Sequence, residues 1–204
     1  GITLRTNLDP LEQIWENRPS LPANPVEIQP LEYAGETLAS KVVRIRKSLR
    51  ELHADGMLVS ALDDIAWTLN LRGTDVHCNP VFVSYLLIES DKVSLFVDDN
   101  KLSPEVKQYL QDNQVSLYNY NKVEKCLESY SEYNILLDGD ETSYYLWKTV
   151  KCQEIVAAAS PIPAMKAVKN EAEIEGYRSA MLKDGVAMVK FLKWLKPAVE
   201  AGGQ

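Results

Sequence analysis

The sequence predicts an α/β fold, a mixed sheet flanked by helices, over roughly residues 34–160. Three observations carry this. Amphipathic helical patterns alternate with short apolar, β-rich runs, the signature of helices layered on a sheet. Two of the runs, 81–88 and 93–97, are joined by the polar turn Glu89-Ser90-Asp91-Lys92 and read as an antiparallel hairpin, whereas the others are separated by helices. The chain has 204 residues, 46% hydrophobic and 25% charged, enough to bury a sizeable core.

Element by element, the chain opens with a proline-rich arm. Pro10, Pro19, Pro22, Pro25 and Pro30 fall within residues 1–33, so this stretch should be extended, apart from a short helix near Pro10 to Trp15. Leu38, Val42, Ile45, Leu49 and Leu52 then step by 4, 3, 4 and 3. That spacing makes one apolar helix face, with Thr37 as N-cap and Lys41, Arg44, Lys47 and Arg50 turned mostly outward. Residues 57–60 form a short buried strand, and Asp63 and Asp64 start a second helix, since carboxylates suit a helix N-terminus. After the hairpin, Ser103-Pro104 opens a helix to about Asp112. Strands at 115–120, 134–138 and 154–157 alternate with helices at 122–130 and 143–150. From Glu171 to about Glu200 one long helix carries the stripe Ile174, Tyr177, Met181, Val186, Val189 and Leu192 or Trp194. So wide a stripe needs a partner, and we read this helix as part of a following domain. The first residue is Gly1 rather than Met, which suggests a piece of a longer polypeptide.

Composition excludes several function classes. A net charge of −7 argues against nucleic acid and against anionic membranes as the main partner. No apolar run approaches the roughly 20 residues of a membrane helix. Cys78, Cys126 and Cys152 are odd in number and form no CxxC pair, so reduced thiols in a cytoplasmic protein are expected rather than a disulfide frame or structural zinc.

No residue set builds an active site alone: GxSxG, HExxH and P-loop patterns are all missing. The segment NLRGTDVHCNPVF, residues 70–82, concentrates the reactive side chains. His77, Cys78 and Asp75 are too close in sequence to meet one ion easily, because structural zinc spacings leave at least two residues between paired ligands. His53 reads as a solvated residue at a helix end. Asp138-Gly139-Asp140-Glu141 reads as a turn whose acids cap the next helix, although carboxylates so grouped could also hold a divalent cation. Tyr144, Tyr145 and Trp147 suggest core packing or a domain contact, and Lys151, Lys166 and Lys169 a solvated face. Arg72 precedes Gly73 and can project from a tight turn. Its fork of donors could bind a substrate carboxylate or carbonyl, or could pair with Asp75 or Asp63 and hold the loop.

Five stretches resemble one family: PLEYAGET at 30–37, LDDIAWTLNLRGTD at 62–75, NPVFVSY at 79–85, KAVKN at 166–170 and EIEGYR at 173–178. In this order they are similar to the long, three-domain form of aminopeptidase P, or Xaa-Pro aminopeptidase, of peptidase family M24. The resemblance implies a creatinase/prolidase N-terminal-domain-like fold, followed by a helix belonging to a truncated pita-bread domain. Residues 1–33 would be an interdomain connector, 34–163 the creatinase-like middle domain and 164–204 the start of the catalytic domain. It implies a parent metallopeptidase that releases the residue preceding proline. Two divalent metals, manganese or zinc, would be held by two Asp, one His and two Glu and would activate a bridging hydroxide. Those ligands would lie beyond Gln204, so this chain would carry no catalytic residue and no metal and would be inactive by itself. Its partners would be peptides with proline second, the missing catalytic domain and possibly a second copy. Substrate-cleft candidates are Arg72, Asp75, His77 and Asn79. The alternative is a non-catalytic interaction module of a metal-free creatinase-fold protein.

Overall fold

The structure, a computed structural model, describes residue 11 and residues 14–202. Its strands are β1 (Glu27–Ile28), β2 (Gly56–Val59), β3 (Leu71–Arg72), β4 (Ser84–Glu89), β5 (Val93–Val97), β6 (Val115–Asn119), β7 (Asn134–Leu137) and β8 (Glu154–Ala157). Its α-helices are α1 (Leu31–Ala34), α2 (Leu38–Glu51), α3 (Leu62–Leu69), α4 (Pro104–Asp112), α5 (Val123–Glu128), α6 (Tyr144–Thr149), α7 (Ile162–Ala167) and α8 (Glu171–Glu200).

Six strands make one mixed sheet in the order β6-β5-β4-β2-β7-β8. The β4–β5 hairpin is antiparallel, as its polar turn predicts, and β4 also runs antiparallel to β2. The β5–β6, β2–β7 and β7–β8 pairs are parallel, each crossing over through helix. Alternation along the strands sorts side chains between two cores. Met57, Val59, Leu86, Ile88, Val93, Leu95 and Leu136 face α2, α3 and α4. Leu58, Leu87, Phe96, Ile135 and Leu137 face α5 and α6. Strands buried on both faces read as continuous apolar runs, which is why the sheet is legible in the sequence.

The first hairpin strand begins at Ser84, later than the apolar run 81–88 suggests. Val81 and Phe82 are buried, but the backbone here bonds to its own loop: Gly73 N donates to Pro80 O and Asp75 N to Val81 O. Gly73 is required, because a Cβ there would lie 2.7 Å from Phe82 Cβ.

The proline-rich arm is only partly extended in isolation. The short helix expected near Pro10 falls partly outside the described residues; Leu11 O accepts from Ile14 N and Trp15 N. From Asn24 onward the arm is sewn to the sheet body. Asn24 Nδ2 donates to Thr74 O at 2.9 Å, Val26 N to Lys101 O, and β1 pairs antiparallel with β3.

Lys41 departs from expectation. On α2 it was to face outward with Arg44, Lys47 and Arg50; instead it is 2% exposed. It lies one turn from both Leu38 and Ile45, at the border of the apolar face. Its ammonium donates to Trp67 O at 2.7 Å and to Asn70 Oδ1 at 2.6 Å, and sits 4.2 Å from the centre of the Trp67 ring. Asn70 is the left-handed C-cap of α3 at φ 51°, a conformation asparagine tolerates, and its Nδ2 donates to Glu36 O. Lys41 and Asn70 thereby join α2, the end of α3 and the start of β3.

Burial pushes the Lys41 ammonium from its ordinary 10.5 down to about 8, against the charges of Glu173 and Glu36. Between those two values the unfolded chain binds a proton that the fold does not, so this group's contribution to stability rises with pH there. Lys41→Met should cost about 1–3 kcal/mol at pH 7, because two buried acceptors lose their donor. The gap between wild type and variant should widen from pH 8 to 10.5 in urea unfolding; a constant gap would show that Lys41 does not titrate in this window.

Candidate functional site

A groove of about 210 Å³ opens where α3 and β3 meet α7 and α8. The left-handed turn at Asn70 delivers β3, and with it Arg72, to the groove's floor. Arg72 Nη1 donates to Ala66 O at 3.0 Å and to Leu71 O at 2.8 Å. Burial lowers its affinity for the proton and the charge of Glu173 opposes that, leaving a half-buried cation. Neither ion pair considered from the sequence, with Asp75 or with Asp63, is made.

The far wall comes from α7 and α8. Lys166 Nζ is held between Asp63 and Asp64, the latter at 2.6 Å. Burial raises both carboxyls. At half-exposed Asp63 the hydrogen bond and charge of Lys166 outweigh it and lower the group; at Asp64, whose side chain is 2% exposed, burial prevails. Burial also depresses Lys166, but the two acids hold its proton and raise it overall. Lys169 Nζ donates to Lys166 O. Asn170 caps α8: its Oδ1 accepts from Glu173 N at 3.0 Å, and Glu173 Oε2 accepts from Asn170 N at 3.0 Å. Asn170 Nδ2 also reaches Ala34 O at 2.8 Å, docking α8 on α1. Otherwise α8 buries none of its residues.

Of the four cleft candidates, the structure brings Arg72 and Asn79 together in this groove. His77 lines an adjoining pocket on the loop with Cys78 and Thr74, which shares Asn79 and Pro80 with the groove. The Asp75 side chain is fully buried: its Oδ2 accepts from Val83 N at 2.7 Å and pairs with Lys101 at 2.5 Å. Asp75 therefore holds the loop from inside. The groove's two lysines, Lys166 and Lys169, read from the sequence as a solvated face. The overlooked signal was the Asn170-x-x-Glu173 capping box, which places Lys169 one residue before a helix N-cap.

Other motifs behave as turns and surface. Asp138 Oδ1 accepts from Asp140 N, the expected turn, but its Oδ2 accepts from Ser160 N, and Ser143 rather than these acids caps the next helix, α6. Tyr144 and Tyr145 stay exposed, whereas Trp147, partly buried, packs against the core that Leu146 enters. The three cysteines are free thiols. Among the described residues no three His, Cys, Asp or Glu side chains gather for a metal. The best carboxylate pairs are already engaged, Asp63 and Asp64 by an ammonium and Asp138 by backbone N–H groups. These residues do not fit a di-nuclear centre. Among the described residues, no helix is long and apolar enough to cross a membrane.

A model of the creatinase/prolidase N-terminal domain matches residues 17–173. The chain belongs to this family. A probable Xaa-Pro aminopeptidase P of Leptosphaeria maculans is 39% identical over 197 residues, 91% of this chain and 32% of that protein. Xaa-Pro aminopeptidase ApepP of Drosophila melanogaster is 36% identical over 200 residues, 95% of this chain and 32% of that protein. The solved X-prolyl aminopeptidase of Caenorhabditis elegans, a cytosolic enzyme with a di-nuclear active site, matches with TM-score 0.86 at 28% identity, over 95% of this chain and 32% of that one. The chain thus spans about a third of the length of the curated relatives it matches. The creatinase/prolidase N-terminal domain expected from the sequence is the fold observed, a mixed sheet flanked by helices with a long C-terminal helix.

The docking of α8 rests on Gly35, at φ +68°, where a Cβ would overlap Asn170 Oδ1 at 2.2 Å. Gly35→Ala should therefore cost about 1–2 kcal/mol for the left-handed backbone alone. It should also speed amide exchange at Glu173, whose N–H the displaced Asn170 caps. Unchanged exchange there would show that Asn170 does not depend on Gly35.

Proposed function

We propose that this chain is the non-catalytic α/β domain of a metal-dependent Xaa-Pro aminopeptidase, and that its Arg72 end covers the catalytic cleft and restricts entry to short peptides. The observation that carries this reading is the groove itself. It is walled on one side by the α/β body and on the other by α8, the helix whose apolar side chains lie exposed. Those side chains, Tyr177, Met181, Val189 and Trp194 among them, are 58%, 62%, 66% and 62% exposed and form the surface we assign to a catalytic domain. On this reading residues 1–33 are the connector, 34–163 the middle domain and 164–204 the start of the catalytic domain.

Arg72 and Asn79 would face peptide within the cleft, with His77 at its rim. Two manganese or zinc ions on residues outside this chain would supply the hydroxide for hydrolysis before proline. The relatives named Xaa-Pro aminopeptidase P and the cytosolic X-prolyl aminopeptidase support this assignment, including the cytoplasmic setting.

The full-length protein, assayed with manganese on peptides of sequence Xaa-Pro-Xaa, should release the first residue, and the present chain alone should release none. Hydrolysis should fall by about tenfold or more when the same Xaa-Pro start is carried by a folded protein, since closure over a substrate excludes bulk. Absence of Xaa-Pro hydrolysis by the full-length protein would favour the interaction-module reading; hydrolysis by the present chain would refute its non-catalytic role.

A further inference from the structure

The groove contains two cations that the fold leaves without an ion-pair partner among the described residues. Arg72 uses only Nη1, and only on two neutral carbonyls, Ala66 O and Leu71 O. Its Nε and Nη2 make no hydrogen bond among the described residues. Lys169 likewise donates only to a carbonyl, that of Lys166. The carboxylates nearby are engaged elsewhere. Asp63 and Asp64 share Lys166, and Glu173 accepts the Asn170 backbone N–H in the capping box. Glu173 moderates the potential at Arg72 without pairing to it.

A half-buried guanidinium with one edge of its fork unengaged matches the two oxygens of a carboxylate, and a nearby ammonium adds a point charge to the same acceptor. The neighbouring acids Asp63 and Glu173 disfavour a dianion such as phosphate, because like charges at this range repel. A single negative charge is the better complement.

We propose that Arg72 and Lys169 form a carboxylate-binding subsite that takes an acidic group of the bound peptide. This rests on the reading of the chain as a cleft-covering domain of an Xaa-Pro aminopeptidase. The carboxylate has two possible sources, the free C-terminus of a short peptide or an Asp or Glu side chain downstream of proline. Either presents the same pair of oxygens. A C-terminal source would let the groove measure peptide length, giving the restriction to short peptides a chemical basis.

The test uses the full-length protein and four peptides, Ala-Pro-Gln-Ala and Ala-Pro-Glu-Ala, each as free acid and as C-terminal amide. The expected result is a KM about tenfold lower for the acidic member of one pair, the size of a charge-assisted hydrogen bond discounted for partial exposure. A difference between acid and amide names the C-terminus as the source; a difference between Glu and Gln amides names the side chain. Lys169→Gln and Arg72→Met should each erase the difference by raising KM for the acidic peptide. For Lys169→Gln the kcat, and the KM for the neutral Gln amide, should stay within about twofold. Lys169→Gln removes only a bond to a carbonyl three residues away, so it carries the test if Arg72→Met fails to fold. Equal hydrolysis of all four peptides by wild type overturns the subsite but leaves the domain assignment standing. A preference that survives both substitutions also overturns the subsite. No hydrolysis of any of the four overturns the subsite together with the reading beneath it.

Discussion

The ammonium of Lys41 is the constraint on which the site depends. It bonds Trp67 O and Asn70 Oδ1 beneath the Trp67 ring, at the point where α3 stops. A helix end leaves carbonyls unsatisfied, and burying such an end without donors is costly. Lys41 supplies a donor from a different helix. Asn70, fixed on that donor, turns the chain left-handed and passes it into β3, whose second residue is Arg72. The backbone carbonyl of Asn70 then receives Gln29 N, and the arm strand β1 closes over β3. One buried cation therefore orders α2, α3, the arm and the groove floor together.

A second buried charge pair acts on the other side of the same loop. Asp75 and Lys101, with side chains 0% and 2% exposed, pin residues 73–83 between the hairpin and the arm. Removing one partner of such a pair strands the other in a medium of low dielectric, so the pair specifies one loop conformation rather than adding much stability. Between these two fixed charges the loop offers Arg72 and Asn79 to the groove and His77 to an adjoining pocket that shares Asn79 and Pro80 with it. On the far wall, Lys166 and Asn170 anchor α7 and α8 to α3 and α1. The groove joins segments about 100 residues apart in sequence, tied together by Lys166 and Asp64.

Most of the sheet was legible because its inner strands are largely buried on both faces and read as mostly apolar runs, such as Ser84–Glu89 and Val93–Val97. The cap Thr37 was legible for a local reason: its side chain accepts an N–H three residues on. What stayed hidden depends on partners distant in sequence. Nothing in the periodicity of α2 marks Lys41 as buried, because its acceptors lie 26 and 29 residues away. Asp75 looked like a cleft residue because Lys101, its partner, is 26 residues off. Lys166 looked like solvated surface for the same reason, with Asp63 and Asp64 over 100 residues upstream. Arg72 reads from the sequence as projecting from a tight turn; it lies instead in β3, paired with Glu27, and its hydrogen-bond partners are carbonyls and neither of the acids considered.

The central claim is that the end of the domain carrying Arg72 and the first turn of α8 forms one wall of a peptide-binding cleft. Hydrogen exchange on the full-length protein, with and without an uncleavable Xaa-Pro peptide analogue, tests it most directly. Exchange should slow on peptide binding at residues 73–82 and 170–174, with no change in the sheet strands β5 and β6. Unaltered exchange in both loop segments, with the peptide shown to be bound, would contradict it.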